Sequence, residues 1–330
     1  MEDSFYDGSA YDPETVKFYD LAHEGAQVRL LAGLVDSGAL RQVEGLAPRS
    51  VVVISGSQVY RNCVRVVGAL REPMRQPLVL AETMPGYLGA LDVLIVLTDD
   101  GGDEEALRAL ITATQRGATT VLVGPPDGPL IDEAPTDTVV VPTLPTVSGS
   151  SPARAVASIS TVVDLFEEDP RIVSERLQHV ADSVDEEIEA LSPERDELVN
   201  DGRALNLAAR DHRIVHTGRT PVGRAIAALV ASLWTRAGMI SGYLDFPELL
   251  AALPTLRGPA NELFHDPFLD ENSGLLPFKA VVWAEEEPGI PDALAQHCEM
   301  LGRGSLAATL RLIVRGHSAT VFTSKDEGDF

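Results

Sequence analysis

The stretch best placed to do chemistry is Thr98-Asp99-Asp100-Gly101-Gly102-Asp103-Glu104-Glu105, a loop of acids, glycines and one hydroxyl. It follows the apolar run Val93 to Leu97 and precedes a helical pattern with Leu107, Leu110, Ile111 and Thr114 on one face. A strand, loop, helix sequence of this kind places its loop where ligands of parallel sheets sit. A helix amino terminus with flanking glycines normally attracts anions through its free N–H groups and dipole. Here the loop is itself anionic. Thr98, Asp100, Gly101 and Asp103 are therefore candidate ligand contacts, and the competing reading is a well-capped helix with Asp103 as N-cap and Glu104 and Glu105 in its first turn.

Other candidates are scattered along the chain. Gly56 and Ser57, in Ser55-Gly56-Ser57-Gln58 after the run Val51 to Ile54, can present backbone N–H groups to a ligand. His216 ends a short apolar run beside Gly218-Arg219, so His216 reads as either a site residue or a structural histidine bonded to neighbouring backbone. His265 lies among Glu262, Phe264, Asp266 and Phe268, which fits a loop site or a turn anchored by phenylalanines. Glu248 could act as a general base if it faced an inter-domain cleft, or could cap a helix or pair with Arg257. Arg154, Arg219 and Arg224 are the candidates for holding an anion. Asp266, Asp270 and Glu271 suit a hard cation in ligand type but lack the ordered spacing of a calcium loop, so no metal is expected. The sequence has no G-x-G-x-x-G, Walker or G-x-S-x-G motif, and no cofactor is expected.

The elements that would position these groups alternate strand and helix. Strands are expected at Val51 to Ile54, Pro77 to Ala81, Asp92 to Leu97, Thr119 to Val123 and Thr138 to Val141, with a helix from Asp12-Pro13 and another ending near Gly38 before them. From Ala153 to about Asn200 the spacing of Ile172, Leu177, Val180, Val184, Ile188 and Leu191 predicts helix. A second α/β pattern follows. It comprises a strand Ile214 to His216, a helix Val222 to Ala237, a helix Phe246 to Leu253, a strand Ala280 to Trp283, helices Ile290 to Leu301 and Leu306 to Val314, and a last strand Ala319 to Phe322. The expected organisation is an amino-terminal extension and helix (1–48), a first α/β domain (49–150), a helical connector (151–202) and a second α/β domain (203–330).

Composition excludes several partners. A formal net charge of -24 argues against nucleic acid and anionic membranes, which need basic surfaces. Only three lysines occur, so cationic sites must be arginine. Cys63 and Cys298 lie far apart and read as small buried thiols of a reduced compartment. The start MEDSFYDGSAYDPET lacks the basic and apolar regions of a signal peptide, no apolar run approaches a membrane span, and a cytoplasmic location is expected.

The order of elements resembles the tandem sugar-isomerase (SIS) domain proteins, specifically the bifunctional phosphoglucose/phosphomannose isomerase family. The correspondence runs from about Arg49 to the end through Gly56-Ser57, Thr98 to Glu105, Gly117 to Gly124, Pro152-Ala153-Arg154 and Phe246-Pro247-Glu248-Leu249. The resemblance implies two SIS-type, flavodoxin-like α/β domains with parallel sheets flanked by helices, a sugar or sugar-phosphate ligand, and a homodimer with its site at a subunit boundary.

The departures bear on chemistry. The family holds its phosphate with hydroxyls at places filled here by Thr98, Asp100 and Asp103. Each aspartate about 4 Å from a phosphate charge would be repelled by roughly 4 kcal/mol at an effective dielectric of about 20. The family's catalytic glutamate would fall on the helix Val222 to Ala237, which carries no acid, and its histidine after Leu249, where the chain reads Leu250-Ala251-Ala252-Leu253. Its lysine would fall in a carboxyl-terminal helix, and the chain stops just after Lys325. Each lost acid or base costs roughly 10²- to 10⁴-fold in rate. The expectation is a catalytically degenerate, carbohydrate-binding relative in a regulatory or scaffolding role; the alternative is an active aldose-ketose isomerase on glucose-6-phosphate or mannose-6-phosphate with displaced catalytic residues.

Overall fold

A computed structural model of the chain describes residues 12–257, 276–299 and 304–322. Two helices come first, α1 (Pro13–Ala22) and α2 (Glu24–Asp36). Asp12 caps α1 by accepting from the Thr15 N–H at 2.9 Å, with Pro13 at the first helical position. Then follow β1 (Ser50–Ile54), α3 (Gln58–Leu70), β2 (Leu78–Ala81), β3 (Asp92–Leu97), α4 (Glu104–Gln115), β4 (Thr119–Gly124), α5 (Pro129–Glu133) and β5 (Val139–Pro142). These five strands are all parallel, in the order β2-β1-β3-β4-β5. β1 and β3 are buried along their whole length, which is why they read as unbroken Val, Ile and Leu runs.

The chain continues through α6 (Pro152–Asp164), α7 (Pro170–Ala190) and α8 (Asp201–Ala209) into a second sheet. That part contains β6 (Arg213–Thr217), α9 (Pro221–Arg236), β7 (Ser241–Tyr243), α10 (Phe246–Arg257), β8 (Phe278–Trp283), β9 (Ala293–Gln296) and α11 (Gly304–Ser318). Its strands are also all parallel, in the order β7-β6-β8-β9. The α/β fold with two parallel sheets flanked by helices is thus as the sequence led us to expect.

One apolar core joins the inner faces of both sheets through α2, α3, α6, α7, α9 and α11. The outer face of the first sheet packs on α4, and that of the second on α10 through Leu249, Phe278 and Ala280. Val173, Leu177, Val180 and Val184 form the buried stripe of α7. Near the end of α7 the buried Glu187 binds Arg315 at 2.7 Å and Arg311 at 3.0 Å, fixing the last helix to the centre.

Three expectations fail. The helix expected from Ala153 to Asn200 is interrupted after Asp164, where Asp169-Pro170 starts a new helix, and it ends at Ala190. The helix expected from Ile290 is instead β9: Asp292 takes a left-handed φ of 56°, and Ala293–Gln296 pairs with β8 despite its helix-favouring composition. Ala319 to Phe322 is a turn, because the Asn206 amide donates to the carbonyls of Ala319 and Phe322 at 2.9 and 3.0 Å in place of a neighbouring strand.

Glu24 gives this frame a pH dependence. Its carboxylate is buried at the amino end of α6, accepting from the Ser151 hydroxyl at 2.7 Å and the Ala153 N–H at 3.1 Å. Burial outweighs those bonds and the nearby Arg154 charge, pushing its pKa from 4.5 up to about 7. Because the folded state holds this proton longer than the unfolded state, the stabilisation is complete below pH 4.5 and is lost as pH rises to about 7. Denaturant titrations should show this group removing roughly 3 kcal/mol between those pH values in the wild type, and Glu24→Gln should lack that drop.

Candidate functional site

In the first sheet the chain direction switches between β1 and β3, so the loops after these two strands diverge and leave a crevice at their carboxyl ends. A cavity of about 870 Å³ opens there. One wall comprises Gly56 to Val59 and Leu97 to Asp100 with Asp103; the other comes from the carboxyl-terminal half of α9 with Ser241 and Tyr243. The floor is set by Asn62 on α3, whose amide donates to the Ala228 carbonyl at 3.0 Å and the Ser232 hydroxyl at 3.2 Å on α9.

The acidic loop satisfies its own backbone. The Asp100 N–H donates to Thr98 Oγ1 at 3.1 Å, the Gly102 N–H to Asp100 Oδ1 at 2.8 Å, and the Ala106 N–H to Asp103 Oδ1 at 2.9 Å. Asp103 is thus the N-cap of α4, as the capped-helix reading expects, and Asp100 and Asp103 also line the cavity. Three N–H groups here are thus taken by side chains of the loop itself, two by carboxylates and one by the Thr98 hydroxyl. Gly101 has a packing role: a Cβ there would lie 3.1 Å from the Asp127 carbonyl, and its own carbonyl accepts from the Leu130 N–H at 2.8 Å. In the other loop, Ser55 Oγ donates to the Leu97 carbonyl at 2.8 Å, tying the two loops together, while Gly56 and Ser57 line the open side.

Asp99, which the sequence did not single out, is the most engaged acid. It accepts from the Tyr60 hydroxyl and from Ser150 Oγ (2.9 Å), and Arg154 Nη2 lies at 3.6 Å. Burial, then the Asp99 charge, raises the Tyr60 pKa, which keeps the phenol a donor. Arg154 is 1% exposed and donates to the carbonyls of Gly124 and Val141 at 2.9 and 3.2 Å, so it clamps the ends of β4 and β5 and reaches the cavity only through Asp99.

Several sequence candidates lie elsewhere. His216 is fully buried, accepts at Nδ1 from the Trp283 indole at 3.1 Å, and meets the Trp234 ring edge-on at 4.5 Å. Burial lowers its pKa to about 3, so it stays neutral in the core and does not line the cavity. Gly218 packs against the backbone of Gly223, where a Cβ would come within 2.2 Å of a carbonyl carbon. Arg219 lies over the Phe246 ring at 4.9 Å and donates to the Pro288 carbonyl at 3.0 Å. Glu248 is exposed in the first turn of α10, off the cavity, and Arg257 binds Asp292 at 3.3 Å. His265, Asp266, Asp270 and Glu271 lie outside the described residues. No group of three metal-ligating side chains occurs among the described residues, and none of their helices is long and apolar enough to cross a membrane.

Sequence reasoning missed Arg65, Ser232, Arg236 and Tyr243 on the cavity wall. A signal was present: Gln58, Asn62 and Arg65 recur at helical spacing on α3, as do Ala228, Ser232 and Arg236 on α9.

No family model and no curated protein sequence matches the chain. Solved structures do. A protein from Salmonella typhimurium LT2, provisionally described as sugar binding, aligns with TM-score 0.64 at 10% identity over 92% of this chain and 98% of its own. Tagatose-6-phosphate ketose/aldose isomerase from Escherichia coli gives 0.62 at 11% over 97% and 94%. The C-terminal domain of glucosamine-fructose-6-phosphate aminotransferase from Francisella tularensis gives 0.60 at 12% over 95% and 97%. At these identities the likeness is one of fold, and it extends over both sheets.

Arg154 makes the framework of the cavity testable. Arg154→Met leaves two strand-end carbonyls without their donor and Asp99 without its cation, and should lower stability by about 3 kcal/mol in chemical denaturation. An unchanged midpoint would refute the clamp.

Proposed function

We propose that the cavity binds a carbohydrate derivative and that the chain does not interconvert aldose and ketose, acting instead in a regulatory or scaffolding role. The observation that carries this reading is the loop in which three N–H groups, of Asp100, Gly102 and Ala106, are occupied by Thr98, Asp100 and Asp103 of the same chain. It sits at the switch point of a fold shared with sugar-phosphate proteins. No histidine, lysine or glutamate lines the cavity among the described residues, which leaves ring opening and proton transfer without their usual groups. The resemblance to bifunctional phosphoglucose/phosphomannose isomerases supports the choice of ligand class. Cys63 and Cys298 are both free and buried, in keeping with a cytoplasmic protein, and we take the working assembly to be a homodimer, which sedimentation would test.

One observation favours an active isomerase. Asp100 and Asp103 reach the cavity with one carboxylate oxygen each left over from their backbone bonds, and either could move a proton. Coupled assays for glucose-6-phosphate to fructose-6-phosphate, and for mannose-6-phosphate, separate the readings. The expected outcome is no turnover above background, with a rise in Tm on adding sugar or sugar phosphate. Turnover abolished by Asp100→Asn, Asp103→Asn or Glu248→Gln would establish the isomerase.

A further inference from the structure

Two arginines of the cavity stand apart from most others in the chain. Arg65 on α3 and Arg236 in the last turn of α9 both line it. Arg65 Nη1 donates to Asn62 Oδ1 at 2.7 Å, and Arg236 Nη1 donates to Ser150 Oγ at 2.7 Å. Both partners are neutral. Elsewhere Arg71, Arg176, Arg203 and Arg315 each hold a carboxylate at 2.6 to 2.7 Å. With 50 acids against 26 lysines and arginines, carboxylates are abundant, yet no ion pair involves Arg65 or Arg236 among the described residues. A neutral hydrogen bond aims a guanidinium without cancelling its charge, and leaves its other N–H groups for a planar or tetrahedral anion. Arg236 also suits the carboxyl end of a helix dipole, but Arg65 lies mid-helix and has no such explanation.

The loop wall has the opposite character. Asp100 and Asp103 each use Oδ1 on a backbone N–H, which leaves Oδ2 to accept from a ligand hydroxyl or ammonium. The cavity is therefore polarised, with acceptors at the switch-point loop and uncompensated cations on the helices.

We propose that the cavity holds its carbohydrate with an anionic group, phosphate or carboxylate, on Arg65 and Arg236, and with hydroxyl or ammonium donors on Asp100 and Asp103. This rests on the carbohydrate reading above and reverses the pose in which a phosphate sits on the loop.

Calorimetric titration of the full chain at fixed ionic strength tests it, with glucose, glucosamine, glucose 6-phosphate, glucosamine 6-phosphate and glucuronate as probes. Anionic sugars should bind about 10- to 100-fold tighter than their neutral counterparts. Arg236→Gln and Arg65→Gln should each remove most of that advantage, weakening the anionic sugars about 10-fold more than glucose and glucosamine. The double variant Asp100→Asn with Asp103→Asn should erase any preference for the amino sugars. Glucose 6-phosphate against glucuronate identifies which anion is preferred. Both arginines are exposed, so far-UV circular dichroism should be unchanged by their replacement. Equal affinity for neutral and anionic sugars would overturn the proposal and leave carbohydrate binding intact. So would phosphosugar binding that ignores both arginine variants and tightens about 10-fold or more when the aspartates become asparagine, which would put the phosphate on the loop. Binding by none of the five probes would remove the carbohydrate reading itself, and this proposal with it.

Discussion

The molecule turns on one buried amide. Asn62, 2% exposed, spans the pair α3 and α9 and is satisfied at both ends, by Ala228 and Ser232 on one side and Arg65 on the other. Leaving such a group unpaired costs about 1–3 kcal/mol, so any slip between the two helices is penalised. Because α3 follows the first strand of one sheet and α9 the first strand of the other, fixing this contact fixes one sheet against the other. The cavity is a product of that register: it brings the carboxyl-terminal half of α9, with the small residues Ala228, Ala231 and Ser232, over the loops that follow β1 and β3.

A second constraint frames the cavity. Arg154 is a guanidinium in the core, and a buried cation needs a nearby anion and acceptors for its N–H groups. The carbonyls of Gly124 and Val141 both accept from Nη1, and Asp99 supplies the charge beside Nη2. Asp99 is held in turn by Tyr60 and Ser150, and Ser150 accepts from Arg236. The chain of contacts runs from the sheet edge through the acidic loop to α9, so the acids at Asp99 to Asp103 are framework and cavity wall at once. That dual use explains why the loop tolerates so many carboxylates: the first oxygens of Asp100 and Asp103 neutralise the amide dipoles of the helix start that would otherwise attract an external anion.

The first sheet was legible because buried parallel strands have a compositional signature, and its loops were legible because strand order dictates where they open. Gly56, Ser57, Thr98, Asp100 and Asp103 accordingly reach the cavity. The second sheet was harder. Ala293–Gln296 has a helical composition and becomes a strand only through pairing with β8, and Ser241–Tyr243 is too short to carry a pattern. Arg65, Ser232 and Arg236 sat on visible polar stripes of their helices, but nothing local says that these stripes face one cavity, since α3 and α9 meet across more than half the chain. His216 misled because a strand-end histidine beside Gly-Arg looks like a ligand contact, whereas Trp234 and Trp283 enclose it.

The two sheets share a strand order around their switch points, and at the second one the described residues pack closely on one another. At the second switch point Gly218 and Gly223 bring backbone against backbone: a Cβ at Gly223 would lie 2.4 Å from the Trp283 carbonyl. Arg219 then reaches across, stacked on Phe246 and bonded to Pro288, and the guanidinium passes so close to Gly289 that a Cβ there would overlap it at 1.6 Å. Three glycines thus permit the close backbone approach there and leave room for Arg219. The second half contributes a wall to the cavity of the first through α9. In this repeated architecture the first part presents the two loops and the second closes over them through α9, and the acids share the resulting cavity with Arg65 and Arg236.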